Sequence, residues 1–333
     1  MPQGSDNRPR PNCFLIGAPK CGTTALAHYL SGHPCVFFCK PKEPFYWDAD
    51  HTQTTIAHRP ASLDAYLQLF STAAPAQHVC IGEGSTTYAQ SRVAAERILQ
   101  FDPRAKFILM LRNPVDVVHS LHEHLVRRGF EDQADIAAAW GLQKDRAEGR
   151  GIPAGCGTPH QLQYKDVASF APQVERLFRI VPPQQRLIIF FDDLCADARD
   201  TYLTTLEFLG LKDDGRSEFP RMNAARQARF GLLRRLYNQP PSRFARLMQL
   251  MREWYTNSRS PLRALLRRSL LKDGANRPLS PEFRQFLISE FRDDIAQTSE
   301  LLGRDLTHWC RGDETTSAVL QPSASSVREV AAS

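Results

Sequence analysis

Gly17-Ala18-Pro19-Lys20-Cys21-Gly22-Thr23-Thr24 follows the apolar run Cys13-Phe14-Leu15-Ile16 and precedes a helical stretch that begins near Ala25. A glycine-rich turn between a buried strand and a helix aims successive backbone N–H groups at one point, and the helix dipole adds partial positive charge there. Such a turn holds a phosphate. In the ATP-binding pattern G-x-x-x-x-G-K-[ST] the lysine follows the second glycine, whereas here it stands inside the loop as Lys20 and Thr23 takes its place. The clamp on the β and γ phosphates is then missing, and a nucleotide with a single 5′-phosphate fits better than a triphosphate.

A second stretch sharpens this reading. The apolar run Lys106-Phe107-Ile108-Leu109-Met110-Leu111 is followed by Arg112-Asn113-Pro114 and, further along the next helical stretch, by Ser120. An arginine at a strand end, a proline in the first helical turn and a serine beyond it place a guanidinium and a hydroxyl around another phosphate. Two phosphate sites at two strand ends call for a bisphosphorylated nucleotide.

At these residues the chain resembles the sulfotransferases that use 3′-phosphoadenosine 5′-phosphosulfate (PAPS) and release adenosine 3′,5′-bisphosphate (PAP). Pro19 to Thr24 is similar to the family's 5′-phosphosulfate loop, and Arg112-Asn113-Pro114 through Ser120 to its 3′-phosphate motif. Lys42-Glu43-Pro44-Phe45-Tyr46-Trp47 and Gly82-Glu83-Gly84-Ser85-Thr86-Thr87-Tyr88 resemble segments of the glycan (heparan sulfate) branch. Phe190 to Leu194, and Leu279 through Trp309, resemble a later strand end and the closing helix of bacterial members, so the likeness runs from about residue 12 to residue 309.

The resemblance implies roles. Glu43 is the base that takes the acceptor proton, with Phe45, Tyr46 and Trp47 shielding it and stacking on an acceptor ring. Lys20 stabilises the leaving phosphate, Thr23 and Thr24 add hydroxyls, and the amides from Cys21 and Gly22 to Ala25 complete the 5′ cradle. Arg112 and Ser120 hold the 3′-phosphate. Glu83 is expected to orient the acceptor or Lys20, or else to cap a neighbouring turn. Arg226 and Arg229 are candidates for a loop closing over the nucleotide. Gly84 departs from the glycan enzymes, which often carry a lysine there. His33, His119, His122 and His124 are rival bases, of the type used by the aryl and steroid branch.

Composition frames these expectations. The chain has 333 residues, 42% hydrophobic and 23% charged. That is enough for one large domain. Its start is polar, without the apolar centre of a signal peptide, which leads to the expectation of a cytoplasmic bacterial enzyme. Eight cysteines form no C-x-x-C pair and read as reduced core thiols, and no zinc or other metal is expected. The net charge of +6 is uneven: from Arg221 to Arg277 there are fourteen Lys or Arg residues against Glu253 and Asp273. This basic segment faces an anionic acceptor or a membrane surface, or is a solvated helix face, since leucines recur among the arginines at near-helical spacing. No nucleic-acid-binding motif accompanies it, so nucleic acid is not an expected partner.

Short apolar runs at 12–17, 79–82, 106–111 and 186–191 alternate with helical stretches near 24–32, 62–71, 91–101, 114–128, 132–147, 166–180 and 197–209. That alternation predicts an α/β, P-loop-like three-layer fold with a mostly parallel central sheet flanked by helices. A helical C-terminal region is expected at 224–237, 241–256, 260–271 and from Pro281 to about Leu302, the last between Ser280 as N-cap and Gly303 as stop. The domain spans 12–310, with a basic helical segment at 221–303, a flexible start at 1–11 and a tail at 311–333. Glycines and prolines between Glu148 and His160 mark a loop at the rim of the site. The acceptor is a small molecule or glycan: a carbohydrate, glycosylated or lipid-like metabolite. A P-loop kinase using ATP and Mg²⁺ and a non-catalytic nucleotide-binding interaction protein are the alternatives.

Overall fold

A computed structural model describes residues 8–51, 56, 58–220, 226–228, 271–273 and 278–311. Five strands, β1 (Cys13–Gly17), β2 (Val36–Phe38), β3 (Cys80–Glu83), β4 (Lys106–Leu111) and β5 (Arg186–Phe190), form one sheet in the order β2-β3-β1-β4-β5. Every neighbouring pair is parallel. Continuous apolar runs suit such strands because helices cover both faces of a parallel sheet, and Phe14, Leu15 and Phe107 through Leu111 are fully buried. β1 is flanked by β3 on one side and β4 on the other, so the connections leave it in opposite directions. A crevice opens at that switch point, beyond the carboxyl ends of the strands. The ends of β1 and β4 lie side by side there, Gly17 opposite Leu109.

Helices α1 (Thr23–Leu30), α2 (Leu63–Gln68), α3 (Ala94–Phe101) and α4 (Pro114–Arg128) fall where periodicity places them. Asn113 caps α4 by accepting from the Val115 N–H, Pro114 opens its first turn and left-handed Gly129 ends it. The stretch expected as one helix at 132–147 is two, α5 (Ile136–Gly141) and α6 (Gln143–Ala147). The next divides likewise into α7 (Tyr164–Ala168) and α8 (Ala171–Ile180), with Pro172 in the first turn of α8. α9 (Phe191–Ala196) starts at the end of β5 and α10 (Ala198–Leu209) restarts behind the Asp197 cap. Behind the rim, buried Arg146 makes two bonds of 2.6 and 2.7 Å to Glu131, which also accepts the Tyr164 hydroxyl at 2.6 Å.

Pro281–Leu302 is one helix, α11, capped by Ser280 and stopped by Gly303 as its sequence predicts. Its Asp294 accepts from the N–H groups of Phe170 and Ala171 at 2.8 and 3.0 Å, capping α8 from another part of the chain. Beyond it, Arg304 grips Asp193 with two bonds of 2.6 and 2.7 Å, Trp309 Nε1 donates to Asp192 at 2.8 Å, and Asn113 Nδ2 donates to the Trp309 carbonyl at 3.1 Å. The closing segment thus ties the ends of β4 and β5 together.

Two sequence expectations need correction. Arg226–Ala228 is a strand, β6, inside the helix expected at 224–237, and it pairs antiparallel with Leu271–Asp273, β7; of the helix expected at 260–271 only Leu271 is among the described residues. Leucine spacing argued for helix over the whole stretch, but the ladder partner lies far along the chain, beyond the reach of local periodicity. β2 was missed because three residues carry no alternation to read. The helix expected at 241–256 and most of the basic segment lie outside the described residues, as do residues 1–7 of the flexible start expected at 1–11 and residues 312–333 of the tail expected at 311–333. Among the described residues no helix is long and apolar enough to cross a membrane.

Candidate functional site

The loop from Gly17 to Thr24 turns the chain from β1 into α1. Gly17 has φ 147°, and a Cβ there would lie 2.7 Å from the Thr86 carbonyl oxygen. Gly22 has φ 91°, and its Cβ would lie 2.8 Å from the Phe191 ring. Neither position accepts a side chain without moving its neighbours. Between them Lys20 holds a left-handed φ of 67°, a conformation that costs a non-glycine residue about 1 kcal/mol or more and is found at binding sites. No side chain caps α1 at Gly22. The amides of Gly22, Thr23 and Thr24 have no partner among the described residues, so they are available to an anion. The expectation for Cys21 and Ala25 needs correction. Their amides already donate, to the carbonyls of Ala18 at 3.3 Å and Gly22 at 2.9 Å, because the turn closes on itself. Burial pushes the Cys21 thiol up to about 12, which makes it a filler of the core.

Lys20 shares its surroundings with other cations. Burial, then the charges of Arg127 and Arg112, bring its ammonium down to about 8, against the opposing pull of Glu43. Arg112 lies over the Phe191 ring with 4.5 Å from guanidinium carbon to centroid, donates to the Lys20 carbonyl at 3.3 Å and faces Asp116 at 3.6 Å. Its buried Nε has no hydrogen-bond partner among the described residues. A buried guanidinium nitrogen left without an acceptor fits a site built for an anion.

Glu43 lies in the crossover between β2 and α2, beside the same cavity. Its carboxylate meets the Lys42 ammonium at 2.9 Å, and its carbonyl lies 2.9 Å from His58 Nε2. The segment that carries it is pinned from below by Glu83, at the end of β3. This carboxylate is fully buried and accepts from the Tyr66 hydroxyl at 2.8 Å, Tyr88 at 2.9 Å and Ser85 at 2.6 Å. Those hydroxyls in turn accept backbone N–H groups: Ser85 from Phe45 at 3.0 Å, and Tyr88 from Tyr46 at 2.9 Å and Trp47 at 3.2 Å. Burial pushes the Glu83 carboxyl up to about 7 against the pull of its hydroxyl donors.

Glu83 is therefore an anchor beneath the site and does not line the cavity, contrary to the expectation that it orients the acceptor or Lys20. Trp47 is corrected in the same way: it is buried, bonds Tyr66 through Nε1 at 3.0 Å and packs on Phe101. Tyr46 stacks on Tyr66 with ring centroids 4.6 Å apart and likewise stays out of the cavity. Of the three aromatics only Phe45 lines it. Replacing Tyr88 with Phe leaves two backbone N–H groups without their acceptor. The expected result is a loss of about 1–3 kcal/mol of stability, read from urea unfolding, with an unchanged midpoint counting against the anchoring network.

The cavity has a volume of about 870 Å³, room for a nucleotide and part of an acceptor. It brings together Lys20, Gly22, Thr23, Thr24 and Ala25 from the loop, Glu43, Arg112, and Ser120 from α4. His124, Arg127 and Arg128, four, seven and eight residues after Ser120, continue the same stripe of α4 into the cavity. Sequence reasoning missed the two arginines, although that spacing is the helical signal that would find them. His124 lines the cavity, where burial, then the charge of Lys20, lowers its imidazole to about 3. Of the other rival bases, His122 Nε2 lies 2.9 Å from the Gln133 carbonyl and His33 Nε2 2.9 Å from that of Lys212, and neither lines the cavity. Thr158 and Gln161 reach the cavity from the end of the glycine-rich loop. The side chain of Arg226 and all of Arg229 lie outside the described residues. Among the described residues no group of three or more His, Cys, Asp or Glu is arranged to hold a metal.

Comparison with known proteins gives a consistent picture. Residues 10–222 match the sulfotransferase domain. The bifunctional heparan sulfate N-deacetylase/N-sulfotransferase 3 of Homo sapiens is 26% identical over 309 residues, covering 90% of this chain and 31% of that protein. The N-deacetylase/N-sulfotransferase 2 of Homo sapiens is 32% identical over 114 residues, covering 34% of this chain and 13% of that protein. The chain thus spans about a third of the length of the first of these relatives. Among solved structures, a sulfotransferase from Alicyclobacillus acidocaldarius superposes with a TM-score of 0.65 at 23% identity, covering 91% of this chain and all of that one. That likeness extends to the fold.

Proposed function

Because the chain belongs to the PAPS-dependent sulfotransferase family, we propose that it carries the sulfuryl group of PAPS, by in-line transfer, to a hydroxyl of a carbohydrate, glycosylated or lipid-like metabolite, with Glu43 as the base. One observation supports this most: a single cavity contains the phosphate-loop residues Lys20, Thr23 and Thr24, the second phosphate pair Arg112 and Ser120, and the carboxylate of Glu43. When bound, PAPS supplies a sulfuryl group already joined to a good phosphate leaving group.

The protein's own groups do the rest. Glu43 removes the acceptor proton as the acceptor oxygen bonds to sulfur, and the bond from sulfur to the phosphate oxygen breaks with its electrons left on that oxygen. Lys20 and the amides of Gly22, Thr23 and Thr24 meet the charge that grows there. Arg112 and Ser120 fix the nucleotide by its 3′-phosphate, so that the sulfuryl group faces Glu43. This chemistry uses no metal. An amine is the second acceptor reading, favoured by the N-sulfotransferase activity for which the relatives above are named. The reading extends to a cytoplasmic enzyme, with the basic segment from 221 to 277 turned to an anionic acceptor or surface.

The test has two parts. Titration with PAP in the absence of Mg²⁺ is expected to show tight binding, and transfer from labelled PAPS is expected on a panel of hydroxyl and amine acceptors. Mg²⁺-dependent ATP binding in place of PAP binding would favour the kinase alternative, and no nucleotide binding the interaction protein.

Lys20 adds a pH signature. With its ammonium at about 8 in the free protein, raising the pH through 8 discharges it and weakens nucleotide binding. Bound phosphates favour the charged form and lift that value, so binding near pH 8 takes up a proton. Calorimetry in buffers of different ionisation enthalpy reads the uptake. Tight PAP binding at pH 8 with no buffer dependence would remove Lys20 from the phosphate site.

A further inference from the structure

Lys42 has no role in the reading above, yet its ammonium enters the same cavity. It bonds the Gly84 carbonyl at 3.0 Å, approaches Thr23 Oγ1 at 3.4 Å and pairs with Glu43 Oε1 at 2.9 Å. Its side chain is 21% exposed and lines the cavity. Thr23 opens α1 at the phosphate loop and Glu43 is the proposed base, so this ammonium stands between the leaving-group end and the acceptor end of the reaction. The sulfuryl group must cross that interval. The stem of Lys42 also covers residue 84: a Cβ built on Gly84 would lie 3.3 Å from Lys42 Cγ and 3.4 Å from both Cδ and Nζ. The space a side chain at 84 would need is already filled by the chain of Lys42.

We propose that Lys42 is a donor-contacting catalytic residue whose ammonium binds the oxygens of the sulfuryl group in flight and, through its pair with Glu43, holds the base in place. Glycine at 84 is the complement of this arrangement, since any larger residue competes with Lys42 for the same volume. The inference rests on the PAPS reading of the cavity.

PAPS and PAP separate the two. Fully ionised, they carry the same total charge and differ in the sulfuryl group, so a contact to that group is read as a loss for PAPS that PAP does not share. Lys42→Ala is expected to weaken PAPS about tenfold or more and PAP less than about twofold, with turnover falling further than PAPS affinity. The double variant Lys42→Ala/Gly84→Lys places an ammonium in the vacated space from the other strand end. It is expected to recover a large part of both losses. Equal weakening of PAP and PAPS, or no change in either, overturns the role of Lys42 while leaving the PAPS site standing. A discriminating loss without recovery in the double variant overturns the shared-volume argument. A wild-type chain that binds neither nucleotide removes the donor assignment itself, and this inference with it.

Discussion

Replacing Glu43 with Gln lowers turnover by about 10²-fold or more and leaves PAP affinity within about twofold. The amide keeps the shape and most of the contacts of the carboxylate but takes no proton. The nucleotide loop and the Arg112 wall belong to other elements and are not disturbed. The segment bearing Glu43 is also fixed independently of its carboxylate, because its backbone N–H groups end on Ser85 and Tyr88 and those hydroxyls on Glu83. The substitution therefore tests chemistry and not folding. The discriminating rival is His124, a neutral imidazole in the same cavity. Full activity in Glu43→Gln together with a comparable loss in His124→Gln would transfer the base to α4.

The second large effect is on binding. Arg112→Ala is expected to weaken PAP by about 10²-fold while changing affinity for adenosine 5′-phosphosulfate only a few-fold, because only PAP carries a 3′-phosphate. Adenosine 5′-phosphosulfate serves as the internal control. Arg112 also supports the Lys20 carbonyl, and loosening that support would act on both ligands. If the two ligands lose affinity alike, Arg112 serves the 5′ loop and the 3′-phosphate assignment fails. Competition binding with a fluorescent nucleotide measures both ligands in one format.

Much of this architecture was legible from residues alone. The continuous apolar runs in β1 and β4 could be buried strands only under helices on both faces, and Asn113-Pro114 and Ser280-Pro281 announce their helices because a cap and a ring act locally. The glycines at 17 and 22 declared a loop that no other residue type could build. What escaped notice depended on the third dimension. Glu83 and Trp47 sit in segments whose polar and aromatic letters suggest a ligand, but whether a strand-end carboxylate points up into a cleft or down onto three hydroxyls is decided by packing. β6 and β7 pair across more than forty intervening residues, and no local period reports such a partner. Lys42 drew no role from its own segment because Gly84, which makes room for it, stands just past the end of β3, far along the chain.

The bond from Asn113 to the Trp309 carbonyl, together with those from Trp309 to Asp192 and Arg304 to Asp193, has an evolutionary consequence. The floor proposed to hold the donor is braced by three distant parts of the polypeptide at once, so a change in any one part disturbs the whole. The turns that end at Thr158 and Gln161 lie outside that brace, with a bond of their own from Thr158 Oγ1 to Gln161 Oε1, and can change without disturbing it. Descendants of one ancestor can thus acquire new clients by rewriting the rim, while the donor chemistry passes down unaltered beneath it.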